Sequence, residues 1–352
     1  METKIISVKE KSICGKAVEE AGRIIQAGGL VAFPTETVYG LGGDALNGES
    51  SGRIYRAKGR PSDNPLIVHI CRMEDLFPIV AQVPDTARKL ADAFWPGPLT
   101  MILPKSDMVP RETTGGLDTV AVRMPMHPVA LALIDAAGGY VAAPSANRSG
   151  RPSPTLPKYV AEDLDGRIDM ILDGGEIEIG LESTIVDLTE EVPMILRPGY
   201  ITKEMLESVL GEVRVDRTVL DGNSGQPPKA PGMKYRHYAP KGELTIIDGR
   251  QEQVVEEINR RAREMQEKGE RVGVIGTAET VGRYMADSVK SAGSRDDGKT
   301  VAKSLYRILR EFDEEGMTVI YSENFGTAGE EGIGQAVRNR LLKAAGHHID
   351  YL

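Results

Sequence analysis

LVAFPTETVYGLGGDA, residues 30–45, is the stretch from which this chain is best read. Leu30, Val31, Ala32 and Phe33 form a short apolar run, the length and composition of a buried strand. Ahead of it, Ala17, Val18, Ala21, Ile24 and Ile25 recur at helical spacing, and Gly28–Gly29 stops that helix. A helix feeding a buried strand is the opening of an α/β layer. The strand then runs out into PTETVYGLGGDA, where Thr35 and Thr37 share one face of extended chain.

Outward from this point the same rhythm continues. PLIVHI (65–70), LTMILPK (99–105), DTVAVRMP (118–125), YVAAPSA (140–146), MILD (170–173) and STIVDLT (183–189) read as strands, with helical stretches such as VPDTARKLADAF (83–94) between some of them. The expectation is an α/β domain with one large open mixed sheet over residues 1–212. DGNSGQPPKAPGMKYRHYAPKG (221–242) is rich in Gly and Pro, so residues 213–242 read as a linker. Residues 243–352 alternate GELTIID, a helix through Val254, Ile258, Ala262 and Met265, RVGVIGT, VAKSLYRILREFDEEG, MTVIYSE and GIGQAVRNRLLKAAG. That alternation predicts a smaller three-layer α/β, Rossmann-like domain with a parallel sheet.

Composition narrows the function. A net charge of -9 argues against a surface built to hold nucleic acid, while leaving room for a local positive pocket for a small anion. Cys14 and Cys71 lack metal-ligand spacing and read as inert thiols in a reducing compartment. METKIISVKEKS has no apolar segment of the secretory kind, and no apolar run approaches ~18 residues, so the expected location is cytoplasmic and off the membrane.

Gly293-Ser-Arg-Asp-Asp-Gly298-Lys299-Thr300 fits the phosphate-loop pattern. The pattern requires a buried strand before it, and RYMADSVKSAGS (283–294) does not read as one. Asp296 and Asp297 would also put negative charge into the cradle. A solvated loop capping a helix is the expectation. The glycines of RVGVIG (271–276) lack the dinucleotide spacing.

The first domain holds a denser set of polar groups at strand ends. In Lys58-Gly-Arg60-Pro-Ser-Asp-Asn64-Pro a glycine and two prolines hold two cations and an amide in a tight turn, an arrangement that suits a polyphosphate; alone, it also reads as a solvated basic turn. In DTVAVRMP, Thr119, Ala121 and Arg123 share a face opposite Val120, Val122 and Met124. Arg123 in mid-strand needs a partner, structural or functional. His69 shares a face with Ile67 and, taken alone, reads as a satisfied core histidine more readily than as a ligand. Ala143, Ser145, Asn147 and Ser153 are small groups at and beyond a strand end, where open α/β sheets place ligands. Ser183 opens the next strand and Arg197 ends another. There is no catalytic triad and no metal cluster, so the site is expected to work by positioning charge.

PTETVYGLGGDA, KGRPSDNPLIVHI, WPGPLT, VAVRMP, APSANRSG, LESTIVD and LRPG, in that order, resemble the catalytic domain of the YrdC-like threonylcarbamoyl-AMP synthases. PGMKYRHYAP (231–240) followed by a second α/β domain resembles the longer, two-domain form. The resemblance implies an L-threonylcarbamoyladenylate synthase, a nucleotidyltransferase that joins L-threonine, bicarbonate and ATP, with Mg2+, into threonylcarbamoyl-AMP and pyrophosphate. A separate transferase complex then modifies tRNA with the product, and a weak tRNA contact by this chain is allowed for. It further implies that Thr37, His69, Arg123, Ala143 and Ser183 hold threonine, with Thr35 a neighbour. Arg60, Asn64, Thr119, Ser145, Asn147, Ser153 and Arg197 hold ATP, with Lys58 at the phosphates. Lys58 and Arg60 are the catalytic cations, and Tyr235, His237 and Tyr238 form a lid. No protein ligand for a metal is assigned. Besides an NTPase built on Gly293–Thr300, which would hydrolyse ATP without threonine, two rivals stand beside this reading. One is an RNA-gripping module without chemistry. The other is a related carbamoyl-transfer enzyme, which would carry metal-binding cysteine clusters that are absent here.

Overall fold

The apolar run at residue 30 forms β2 (Val31–Phe33) in the computed structural model, which describes residues 2–8, 15–216, 238–325 and 332–352. Helix α1 (Lys16–Gln26) precedes it and buries Val18, Ala21, Gly22 and Ile25, the stripe its sequence periodicity predicts. The chain divides into two units, Met1–Ser149 with Ser153–Lys234, and Gly150–Pro152 with Tyr235–Leu352.

The first unit is built on an eleven-stranded sheet. Besides β2 it contains β1 (Lys4–Ser7), β3 (Gly40–Asp44), β4 (Ile67–His69), β5 (Leu99–Pro104), β6 (Thr119–Arg123), β7 (Val141–Ala142), β8 (Met170–Asp173), β9 (Thr184–Asp187), β10 (Met194–Arg197) and β11 (Arg214–Val215). Their order is β1-β8-β2-β3-β7-β4-β6-β5-β9-β10-β11. Parallel pairs such as β4–β6 and β5–β9 mix with antiparallel ones such as β2–β3 and β5–β6. Helices α2 (Gly48–Lys58), α3 (Leu76–Ile79), α4 (Asp85–Phe94), α5 (Pro128–Ala136), α6 (Pro157–Leu164) and α7 (Lys203–Leu210) connect them.

The two faces of the central strands differ, as period-two alternation requires. Val120 and Val122 join Val68, Met101 and Leu103 in the main core. Ala121 points the other way and joins Ile67, Ile102, Ile185 and Leu196 in a small apolar cluster.

The structure departs from the sequence reading in several places. β3 is GLGGD, which reads as a loop, yet its glycines are there for close packing. A Cβ on Gly42 would lie 2.8 Å from Val141 Cγ1 and 2.9 Å from Phe33 Cε1. The strand expected over 140–146 is only Val141–Ala142, because Pro144 has no N–H to give the ladder. The expected end of the domain at residue 212 falls short, since β11 pairs in parallel with β10. Lys58 is the last residue of α2, not part of a loop. Gly59 takes the left-handed conformation there (φ 63°) and caps the helix.

The second unit has five strands, all parallel, in the order β14-β13-β15-β12-β16: β12 (Glu243–Asp248), β13 (Val272–Gly276), β14 (Ser288–Ser291), β15 (Val319–Glu323) and β16 (Ile349–Tyr351). Helix α8 (Gln251–Glu267) packs Val254, Val255, Ile258 and Ala262 with Val272 and Val274, while Gly273 between them faces Phe312 of α9 (Gly298–Glu315). Alternate residues of one strand thus meet helices on opposite faces, the three-layer arrangement expected. Helix α10 (Ile333–Ala344) packs against α9.

β14 is a correction, because a strand does precede Gly293–Thr300. It is an edge strand with partly exposed side chains, which is why it lacks the signature of a buried one. Asp297 caps α9 through Lys299 N (3.0 Å), and Glu279 accepts from Arg295 N (3.2 Å) and Ser294 Oγ (2.8 Å). Amides that a phosphate would need are therefore already bonded to carboxylates. Among the described residues, no helix is long and apolar enough to cross a membrane.

Candidate functional site

β4, β6 and β5 are neighbours, and their register sets His69 opposite Arg123 and Arg123 opposite Thr100. Directly paired residues point to the same face, so an imidazole, a guanidinium and a hydroxyl form one row across the sheet. All three are buried. The loop between β2 and β3 completes the row. Thr35 donates its hydroxyl to Val38 O (2.7 Å), so it must accept from Thr37 at 2.9 Å. Thr37 in turn accepts from Arg123 Nη1 (3.0 Å). Arg123 Nε donates to Gly97 O (3.3 Å), and Nη2 donates to Glu36 Oε1 (2.5 Å). Glu36 Oε2 accepts from Met126 N (3.1 Å).

His69 Nδ1 lies 3.1 Å from Ile67 O. A carbonyl only accepts, so Nδ1 carries the proton and Nε2 the lone pair. Burial, then the Arg123 charge, pushes the imidazole down to about 3 from an ordinary 6.5. The unfolded chain therefore binds a proton that the folded chain refuses. Native stability is full above about pH 6.5 and declines as pH falls toward 3, by about 1.4 kcal/mol per pH unit. His69→Asn is expected to remove this dependence. Urea unfolding between about pH 7 and 5 should then bring the two proteins' stabilities together as pH falls. Parallel curves would show that His69 is not buried neutral.

Ser183 extends the row. Its Oγ lies 2.7 Å from Thr100 Oγ1 and accepts from Arg197 Nη2 (3.1 Å), while Arg197 Nε donates to Ser183 O (3.0 Å). Arg197, expected on the nucleotide, is thus held on Ser183, expected on threonine. Ala143, just past β7, donates its N–H to Ile67 O (2.9 Å) and is buried beside this row.

A second cluster forms around Lys58, whose ammonium donates to Ser145 O and to Asn147 O (2.5 Å). Ser145 Oγ donates to Asn147 Oδ1 (2.5 Å). The cation at the end of α2 thus fixes the loop after β7 and is itself buried. Arg60 Nη2 donates to Asn64 O (3.3 Å) and Pro65 O (3.1 Å), clamping its own turn. Asn64 is buried, and its Oδ1 has no hydrogen-bond partner among the described residues. Ser153 donates to Glu182 Oε1 at 2.6 Å. Thr119 shares the face of Arg123 at the other end of β6, about 13 Å away at ~3.3 Å per residue. The two cannot grip one small group, but they span a ligand the size of a nucleotide.

Of the expected lid, Tyr235 and His237 lie outside the described residues. Tyr238 is in the second unit, stacked on Tyr306 with ring centroids 5.1 Å apart. Cys14 also lies outside the described residues. Burial pushes the Cys71 thiol up to about 11, which makes it a poor nucleophile at neutral pH. Among the described residues no three His, Cys, Asp or Glu side chains converge on a metal position.

Sequence reasoning missed Glu36, Thr100 and Glu182. Glu36 sits in a stretch that reads as a polar loop, and only its neighbours Thr35 and Thr37 stood out. Thr100 is the one hydroxyl in an otherwise apolar strand, which was the signal available. Glu182 precedes Ser183 and carried no pattern of its own.

Comparison with known proteins bears on this geometry. Residues 23–199 match the Sua5/YciO/YrdC family, described as "Telomere recombination", and residues 201–346 match "Threonylcarbamoyl-AMP synthase, C-terminal domain". The threonylcarbamoyl-AMP synthase of Pyrococcus abyssi is 50% identical over 347 residues, 99% of each chain. That of Bacillus subtilis is 49% identical over 333 residues, 94% of each. The crystal structure of P. abyssi Sua5 complexed with L-threonine superposes with a TM-score of 0.92 at 46% identity, covering 100% of both chains. With both domains matched in order and the likeness running the length of the chain, the protein described here belongs to the threonylcarbamoyl-AMP synthase family.

Proposed function

We infer that the chain makes threonylcarbamoyl-AMP and pyrophosphate from L-threonine, bicarbonate and ATP on the polar face of the first unit's sheet. The observation that carries this is the row of His69, Arg123 and Thr100, closed by Thr37 and Ser183. It offers a buried cation for a carboxylate and several hydroxyls and an imidazole lone pair for a hydroxyl and an amine. P. abyssi Sua5 has been crystallised with L-threonine, in keeping with this use of the site.

ATP is assigned to the groups around Lys58, Arg60, Asn64, Thr119, Ser145, Asn147, Ser153 and Arg197. Asn64 Oδ1 is a buried acceptor in want of a donor, so it suits an exocyclic amine or a ribose hydroxyl rather than a phosphate oxygen. Among the described residues the carboxylates make no cage for Mg2+: Glu36 is taken up by Arg123 and Met126 N, and Glu182 receives Ser153. The ion would arrive on the triphosphate with its own waters, as part of the substrate.

The chemistry requires no protein nucleophile. The threonine amine captures bicarbonate, with loss of water, or carbon dioxide, with loss of a proton from nitrogen, as a carbamate. A carbamate oxygen attacks the α-phosphorus in line, and the bond to the pyrophosphate oxygen breaks. Negative charge grows on phosphate oxygens, where Lys58 and Arg60 would stabilise it. A transferase that moves the threonylcarbamoyl group onto a tRNA adenosine would consume the product, and the cytoplasm is the location proposed for both steps.

A site that hydrogen-bonds a substrate hydroxyl rejects the isostere without it, because its own buried polar groups are then left unpaired. Valine is therefore expected to support pyrophosphate release with kcat/KM at least about a hundredfold below threonine. Equal rates with the two would remove the hydroxyl-reading assignment.

A further inference from the structure

We propose that Glu36 sets the charge balance of the threonine subsite, so that the site takes a zwitterionic amino acid in preference to a plain carboxylate of the same size. The proposal rests on the reading that Arg123 receives the threonine carboxylate. Glu36 is 3% exposed and Arg123 4%. One Glu36 oxygen lies 2.5 Å from Arg123 Nη2 and the other accepts from Met126 N at 3.1 Å, so the carboxylate cannot swing away without losing two bonds. Arg123 commits Nε to Gly97, Nη1 to Thr37 and Nη2 to Glu36. Of its five N–H groups, this leaves one on each terminal nitrogen for an incoming carboxylate.

At the Arg123 guanidinium itself the charges already present cancel; the other buried guanidinium of the row, Arg197, is held further along it on Ser183, whose chain neighbour is the buried Glu182. Arg123 is balanced by Glu36, and burial keeps His69 uncharged at neutral pH. The half-buried His127, near Glu36, is likewise pushed down by burial. A ligand that brings only a carboxylate adds an uncompensated negative charge to a buried site, where charge is poorly screened. Threonine brings its ammonium as well and keeps the sum at zero. An unpaired arginine would hold anions more tightly and would discriminate less. Glu36 thus gives up affinity for anions in general and gains selectivity for amino acids. If Glu36 were only a prop for the guanidinium, its loss would weaken every carboxylate ligand alike.

Calorimetric titration of the full chain with L-threonine and with 2,3-dihydroxybutanoate, in which a hydroxyl replaces the amine, separates these roles. The unaltered protein should prefer threonine. Glu36→Gln should narrow that preference at least about tenfold, chiefly by tightening the anion. Glu36→Asp retains the charge and should retain the preference even where both affinities drop. It also stands as the test should Glu36→Gln fail to fold. An unchanged preference in Glu36→Gln, or a lost one in folded Glu36→Asp, overturns the proposal. Arg123→Gln reports on the underlying reading: full threonine affinity in that variant removes the carboxylate assignment whatever Glu36 does.

Discussion

Lys58→Ala lowers adenylate formation at least about a hundredfold while the first unit keeps its sheet. The ammonium bonds the carbonyls of Ser145 and Asn147 from the end of α2, and it is buried. Each charge-assisted bond of this kind is worth about 1.5–3 kcal/mol, and every ~1.4 kcal/mol of lost transition-state stabilisation is tenfold in rate. Truncation removes the charge proposed to meet the phosphates. It also releases the loop that carries Ser145 and Asn147, so the loss has two sources. The sheet itself does not depend on this side chain, because β4, β6 and β7 are held by their own ladder. Pyrophosphate release with threonine present, alongside a thermal melt, checks this. A variant within about threefold of the unaltered rate would remove Lys58 from the working site.

Arg123→Ala has the larger effect on the protein as a whole. It leaves Glu36 buried with no counter-charge, which costs about 3–5 kcal/mol when one member of a buried pair is removed. It also removes two N–H groups proposed for the threonine carboxylate, for a loss in kcat/KM of about a hundred- to ten-thousandfold. The two losses can be separated. Adding Glu36→Gln to Arg123→Ala removes the orphaned charge and should recover much of the stability, because replacing both partners is far cheaper than replacing one. Threonine saturation should remain poor in the double variant. Urea unfolding and threonine titration of the same preparations give both numbers. Recovery of activity along with stability would mean that Arg123 is structural only.

What could be read from the residues follows from how local each signal is. The alternation in DTVAVRMP put Arg123 on the face opposite Val120 and Val122, and that is where it lies. The strands ending at His69 and Arg197 and the helix through Ala17 to Ile25 were legible for the same reason: periodicity is a short-range property. β3 was not legible, because its glycines answer to Val141 and Phe33, nearly a hundred and some ten residues away in the chain, respectively. β14 was hidden by its half-exposed edge position. Long-range partners explain the gaps in the site as well. Glu36 acquires its meaning from Arg123, and Thr100 from Ser183. Lys58 reads as a solvated cation until the carbonyls of Ser145 and Asn147 are brought to it. The polar residues were therefore found more readily than their bonds.

A mass spectrum of the product formed by the full chain from ATP, L-threonine and carbon-13-labelled bicarbonate tests the proposed synthesis most directly. The expected product is threonylcarbamoyl-AMP carrying the label in its carbamoyl carbon, with one pyrophosphate per product and none when threonine is omitted. ATP breakdown that proceeds without threonine, or an adenylate without the label, would contradict it.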